Sequence, residues 1–132
     1  MIGRRSGSTL VEFAMAFPVL LLTLVGGTQI MLWSMAEGAT HLAAQSGALY
    51  AVAAGVTPQQ GAQYAALQLR RFSPGATVAV ACQTSTADLD VCGRSSGGWV
   101  TLTVSGRLPS LFSFAPLPVD ATVRLRQETF QP

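Results

Sequence analysis

The chain has no lysine, a single histidine and only two cysteines, and 11% of its 132 residues are charged. A soluble domain carries about a quarter charged residues, so roughly half the usual charge is missing. The deficit is concentrated: no acidic or basic residue lies between Glu12 and Glu37. With His41 alone, and only Cys82 and Cys92 as thiols, the ligands for a zinc site are not there. His41 also lacks a neighbouring nucleophile with an orienting acid, and is expected to be a solvated helix-face residue. The eight arginines are scattered, and once Arg4 and Arg5 are set aside six arginines balance six acids. The basic stripe of a nucleic-acid binder is therefore absent. Nor is there a nucleophile elbow, phosphate loop, dinucleotide fingerprint or two-histidine metal helix. The expectation is a protein that is not an enzyme, with no cofactor, no metal and no small-molecule substrate.

What is present is a long apolar run. From Ser8 to about Ala36 the chain is hydrophobic all round rather than striped, the pattern of a buried or spanning helix. It exceeds the roughly 20 residues, at about 1.5 Å each, that a bilayer requires. Pro18 falls inside it, which lipid tolerates where neighbouring groups satisfy the freed carbonyl, here that of Ala14. Gly26, Gly27, Thr23 and Thr28 either let another helix approach closely or are simply tolerated in a membrane helix. The N-terminal arginines keep that end cytoplasmic. This places the remainder across the membrane in an oxidising compartment, where Cys82 and Cys92 are expected to form a disulfide, free thiols being the alternative.

After Glu37 an alanine-rich helix with Leu42, Leu49 and Val52 near one face runs to about Ala54 and stops at Gly55. Thr57-Pro58-Gln59-Gln60 reads as a helix start, with Thr57 as N-cap, Pro58 at the first position and Gln60 completing a capping box. That helix runs to about Phe72, with Tyr64, Leu67 and Arg71 on one face and Ala65, Leu69 and Phe72 beside them, and Ser73-Pro74-Gly75 ends it. Period-two alternation follows at 76–82, 100–105 and 119–126, giving three strands of an antiparallel sheet with one wet face. Residues 84–98 read as a polar loop in which Asp88 and Asp90 are solvated rather than a cation site. The proline-rich stretch 108–118 is a connecting loop. Trp99 and the pair Phe112 and Phe114 stand as either a contact patch or core anchors. The sheet is expected to pack on the 58–72 helix and on the outer half of the long helix.

One constellation rises above this background. Glu12 sits at the head of the apolar run, where an ionised carboxylate is costly and is by default functional and partnered; the plainer alternative is an acid at headgroup level. Gly7-Ser8-Thr9-Leu10-Val11-Glu12-Phe13, after the short basic Arg4-Arg5 leader, resembles the recognition site of prepilin peptidases. With the size of the chain, it resembles the TadE-like pseudopilins of the tight-adherence (Tad or Flp) pilus, a branch of the type IV pilus superfamily; TadF-like proteins share the layout. The resemblance is strongest over residues 4–36. It implies a leader 1–7, a transmembrane helix 8–36 and an extracytoplasmic α+β domain 37–132. It also implies Gly7 as the last leader residue, Ser8 as the mature N-terminus, and Glu12 as the partner of the new Ser8 ammonium in the same or a neighbouring subunit. The partners implied are a prepilin peptidase, other pilins and the Tad inner-membrane assembly proteins. The pilin-like fold implied is a long N-terminal helix, a short helix and a small antiparallel sheet of about three strands. The location implied is the bacterial inner membrane, single-pass with the C-terminal domain periplasmic, or the extracellular pilus after assembly.

Two rivals come from other classes. Ser34-Met35-Ala36 is a small-x-small pattern like a secretory cleavage site, but the apolar stretch exceeds a signal core of about 7–15 residues and begins at an acid. The other rival is an uncleaved single-pass anchor holding a small periplasmic binding domain. The three differ in the N-terminal residue of the purified protein: Ser8, Glu37 or Met1.

Overall fold

The computed structural model of the chain describes residues 6–53, 55–109 and 115–127. Arg4, Arg5, Phe112, Phe114 and Glu128 lie outside them. The chain divides into two units, Met1–Leu32 and Trp33–Pro132, and a single helix, α1 (Ser6–Ala53), contributes to both.

In the first unit α1 runs through Pro18 without a break. Its apolar side chains are uncovered: Leu10 is 70% exposed, Phe13 66% and Met15 75%. The two threonines satisfy themselves, as hydroxyls inside an apolar helix must. Thr23 Oγ1 donates to the carbonyls of Val19 and Leu20, and Thr28 Oγ1 to those of Leu24 and Val25.

In the second unit the outer part of α1 packs with α2 (Pro58–Phe72) on one face of a four-stranded sheet. The strands are β1 (Val78–Val80), β2 (Leu89–Ser96), β3 (Trp99–Leu108) and β4 (Leu117–Arg126), in spatial order β1-β2-β3-β4. The α+β layout is the expected one, and α1 ends at Ala53, just ahead of Gly55. The start of α2 matches in detail: Gln60 N donates to Thr57 Oγ1 (3.3 Å) while Thr57 N donates to Gln60 Oε1 (3.1 Å). That reciprocal pair satisfies two amides that the helix end leaves without partners.

The sheet differs from expectation in two ways. Residues 84–98 are not all loop, because β2 lies within them and brings the strands to four. Leu89 and Val91 are fully buried with Asp90 and Cys92 between them, so the strand alternates despite its Ser, Gly and Asp content. β2 turns into β3 through Gly97 and Gly98, both at positive φ (56° and 78°), which is the backbone of a two-residue hairpin. The second difference is that β1 pairs with β2 in parallel, Val78 opposite Leu89, while β2–β3 and β3–β4 are antiparallel. The sheet is therefore mixed.

The helix packing also has a reason in side-chain size. Ala43, Ala44, Ala48 and Ala51 of α1 and Ala62, Ala65 and Ala66 of α2 are buried, whereas Tyr64, Leu67 and Phe72 are exposed and Tyr64 stacks on Tyr50 at 4.9 Å. Small residues allow the two backbones to approach until a Cβ on Gly61 would lie 2.6 Å from Gly47 O and 2.8 Å from Ala51 Cβ. The sheet supplies the larger core groups Leu89, Val91, Val100, Leu102 and Val104. Trp33 ties α1 to β4, its Nε1 donating to Pro118 O at 3.2 Å.

Gly61→Ala is therefore expected to destabilise the protein by about 1–3 kcal/mol through overpacking, although alanine is the better helix former by about 1 kcal/mol. Gly38→Ala, on α1 with nothing within 4 Å of the added methyl, is expected to stabilise. Thermal unfolding midpoints of the two variants, moving in opposite directions from wild type, are the check.

Candidate processing and assembly site

Gly7, Ser8, Glu12 and Phe13 all fall on the first turns of α1. Ser8 and Glu12 are four residues apart, so they lie on one helix face about 6 Å apart along the axis. Glu12 and Phe13 are exposed, and the Phe13 ring is tilted against that of Phe17 at 5.7 Å. A Cβ on Gly7 would meet nothing within 4 Å. The bond between Gly7 and Ser8 thus sits in helical backbone, and any peptidase that takes an extended substrate must first unwind that turn. Glycine lowers the cost of doing so by roughly 1 kcal/mol relative to alanine.

Sequence reasoning singled out neither Gln29 nor Trp33. Among the described residues Gln29 Oε1 is the buried side-chain polar atom without a partner, in an apolar helix where an amide favours association with another helix. Trp33 closes the apolar run. An amphipathic ring at that point was the available signal, since its N–H seeks a partner and its body does not.

Cys82 and Cys92 are joined in a disulfide, Cα to Cα 4.7 Å, as the sequence led us to expect. Parallel strands normally need a crossover of about a dozen residues or more, and only residues 81–88 separate β1 from β2. Three closures hold that short connection. The disulfide is one, and by the chain-entropy estimate a loop this short contributes about 2–3 kcal/mol. Asp88 is the second: its Oδ2 accepts from Thr77 N and from Thr77 Oγ1, both at 2.8 Å, and its own N donates to Thr77 Oγ1 at 2.9 Å. The backbone and then the side-chain hydrogen bond from Thr77 lower the pKa of Asp88 below its ordinary value. The third is Asp90, whose Oδ2 accepts from Ser85 N at 3.0 Å and whose Oδ1 accepts from Ser85 Oγ. Both carboxylates, expected to be solvated loop acids, are therefore structural acceptors. His41 is exposed, as expected. Among the described residues no group of three His, Cys, Asp or Glu side chains is placed to hold a metal ion.

A family model described as TadE-like protein matches residues 7–49, a span that takes in Gly7, Glu12, Phe13 and most of α1. Over that stretch, about a third of the chain, the sequence is similar to TadE-like proteins. The match, and the one helix among the described residues that is long and apolar enough to cross a membrane, fit a single-pass membrane protein. No curated protein and no solved structure matches the chain.

The β1–β2 connection lies beyond the matched residues, and its acid clamp makes a pH-dependent signature. A carboxylate with a depressed folded pKa contributes stability that is present above its unfolded pKa and lost as pH falls through the folded value. Unfolding midpoints of the wild type are expected to drop on acidification below the ordinary carboxylate range. Asp88→Ala should lower the midpoint at neutral pH and flatten that acid limb.

Proposed function

We propose that the chain is a minor pilin or pseudopilin of a Tad/Flp-type pilus, cut between Gly7 and Ser8 by a prepilin peptidase. The observation that carries this reading is the TadE-like match over residues 7–49, with Gly7 set five residues before the Glu12-Phe13 pair at the head of an uncharged helix. Residues 1–7 are then the leader, 8–36 the span and 37–132 the domain on the far side of the inner membrane. Its partners are the peptidase, other pilins and the Tad inner-membrane proteins.

Cleavage leaves an α-ammonium on Ser8 at the start of a helix. That position is doubly unfavourable for a cation, because the helix N-terminus already carries partial positive charge and the surroundings are apolar. The Glu12 carboxylate, one turn along the same face, offsets both. Pairing within one subunit keeps the mature protein in the membrane; pairing with a neighbour's ammonium fixes the register in which subunits join. The uncleaved single-pass anchor with a small periplasmic binding domain remains the second reading, supported by α1 passing through the Gly7–Ser8 bond without interruption.

Mass spectrometry of protein from cells with an active prepilin peptidase should find Ser8 as the first residue. Gly7→Ala should slow processing modestly and Gly7→Trp should abolish it. An intact leader in such cells leaves the uncleaved anchor as the correct reading.

Glu12→Ala separates anchoring from assembly. Removing the acid makes the span more apolar, so membrane retention should persist or improve, and cleavage should continue at least in part because Gly7 is unchanged. Co-purification with other pilus components and piliation are expected to be lost. Wild-type piliation from Glu12→Ala would reduce Glu12 to an interfacial residue.

A further inference from the structure

The face of the sheet turned away from α2 carries its charges in order. In the strand register Asp90, Ser105 and Asp120 form one row, and two rows along stand Arg94, Thr101 and Arg124. Beyond them Trp99 lies opposite Arg126, and Thr103 opposite Thr122 fills the row between the acids and the arginines. Arg107, opposite Pro118, stands one row beyond the acids on the same face, so the acidic row is flanked by cationic positions, and the larger cluster of Arg94, Arg124 and Arg126 lies at the hairpin end.

The three guanidinium groups are not used up within the fold. Arg94 Nη2 donates to Cys82 O at 3.4 Å, a long bond to a neutral acceptor. Arg124 lies over the Trp99 ring, 4.8 Å from its centroid, a stacking that fixes the guanidinium without neutralising it. Among the described residues no carboxylate pairs with Arg94, Arg124 or Arg126. Trp99 is 38% exposed. Beside Arg94 a cleft of about 360 Å³ opens between the 81–84 segment and the sheet, with Asp90, Arg94, Thr101 and Thr103 on its wall.

We propose that this end of the sheet binds an acidic polysaccharide whose sugar units carry carboxylates. Planar guanidinium groups match carboxylates in charge and in fork geometry, the indole offers a flat apolar face to a sugar ring, and the threonine hydroxyls exchange hydrogen bonds with sugar hydroxyls. An acidic peptide fits less well. The apolar residues Val91, Val100, Leu102, Val104 and Ala121 all lie on the opposite, buried face, so in the arginine rows Trp99 is the apolar group on which a peptide side chain could anchor. The row of Asp90 and Asp120 repels anionic units and separates the three-arginine cluster from Arg107. The surface needs only the sheet, and it holds whether or not the chain enters a pilus.

The test uses the full chain in neutral detergent micelles with soluble probes: polygalacturonate, neutral dextran and polyglutamate. Binding to polygalacturonate that weakens with salt, none to dextran, and binding to polyglutamate weaker by about tenfold or more are expected. The double variant Arg124→Gln/Arg126→Gln should weaken polygalacturonate binding by about tenfold or more, and Trp99→Ala should weaken it where Trp99→Phe retains part. Both glutamines fall on exposed positions, so circular dichroism and protection of the Cys82–Cys92 disulfide should report an intact fold; should Trp99→Ala not fold, the double variant decides. Failure to bind polygalacturonate, polyglutamate binding as tight as polygalacturonate, or an undiminished affinity in the folded double variant would each overturn the proposal.

Discussion

Along α1, Leu10, Phe13, Met15 and Leu22 hold 70%, 66%, 75% and 73% of their surface uncovered, and that apolar surface is the constraint on which the other features rest. Leaving one such side chain in water forgoes about 1.5–3 kcal/mol. A run of them outweighs the roughly 5–15 kcal/mol by which a small domain is stable. A bilayer removes the difficulty, but it imposes its own rule that every polar group inside be satisfied locally. The helix satisfies its backbone, and the Thr23 and Thr28 hydroxyls turn back onto their own carbonyls. Glu12 is the one acid in that stretch that the rule does not absorb.

The second unit answers a different difficulty, how so short a chain builds a core. A small domain buries a smaller fraction of its surface than a large one. Here the shortage is met by backbone proximity rather than bulk, with alanines and the Gly47–Gly61 approach bringing α1 against α2. Such an interface has little dispersion per residue and no tolerance for an added methyl. The larger aliphatic groups come from the sheet, and the sheet in turn depends on a connection that is short for a parallel pair. The disulfide, the Thr77–Asp88 clamp and the Ser85–Asp90 clamp restrict that connection.

The sequence was most legible where local chemistry decides structure. The uncharged run, the Thr57–Gln60 capping box, the break before Gly55 and the alternating strands around Leu102 and Val123 each rest on neighbours within a few residues, and each is found. β2 was hidden because Ser95, Ser96, Gly93 and the aspartates lower its apparent strand character, though Leu89 and Val91 alternate and Gly97-Gly98 marks a hairpin. The parallel pairing of β1 could not be read, since it depends on crosslinks between residues far enough apart that spacing alone does not orient them. On α2 the large residues Leu67 and Phe72 are exposed and the alanines are buried, because the partner helix lies too close for anything larger, which the spacing of residues along one helix does not reveal. At the N-terminus the helix was legible from Ser8 onward, but its extension back through Ser6 and Gly7 was not, since a short stretch of serine and glycine carries no helical signal.

Charge placement links the two solvents. Between Glu12 and Glu37 the chain admits none, and in the described sheet the charged side chains of β2 and β4 alternate with buried Leu89, Val91, Val119 and Ala121 and so fall on the wet face. Burying a charge in so small a core would require a partner and hydrogen bonds that the core has no room for. Expelling charges to one face makes them neighbours, and neighbours of like sign destabilise a sheet when directly opposite. The register avoids this by placing Thr101 between Arg94 and Arg124, and Ser105 between Asp90 and Asp120. The separation leaves like charges in the same row but not opposite one another, and among the described residues it leaves Arg94, Arg124 and Arg126 without a carboxylate partner.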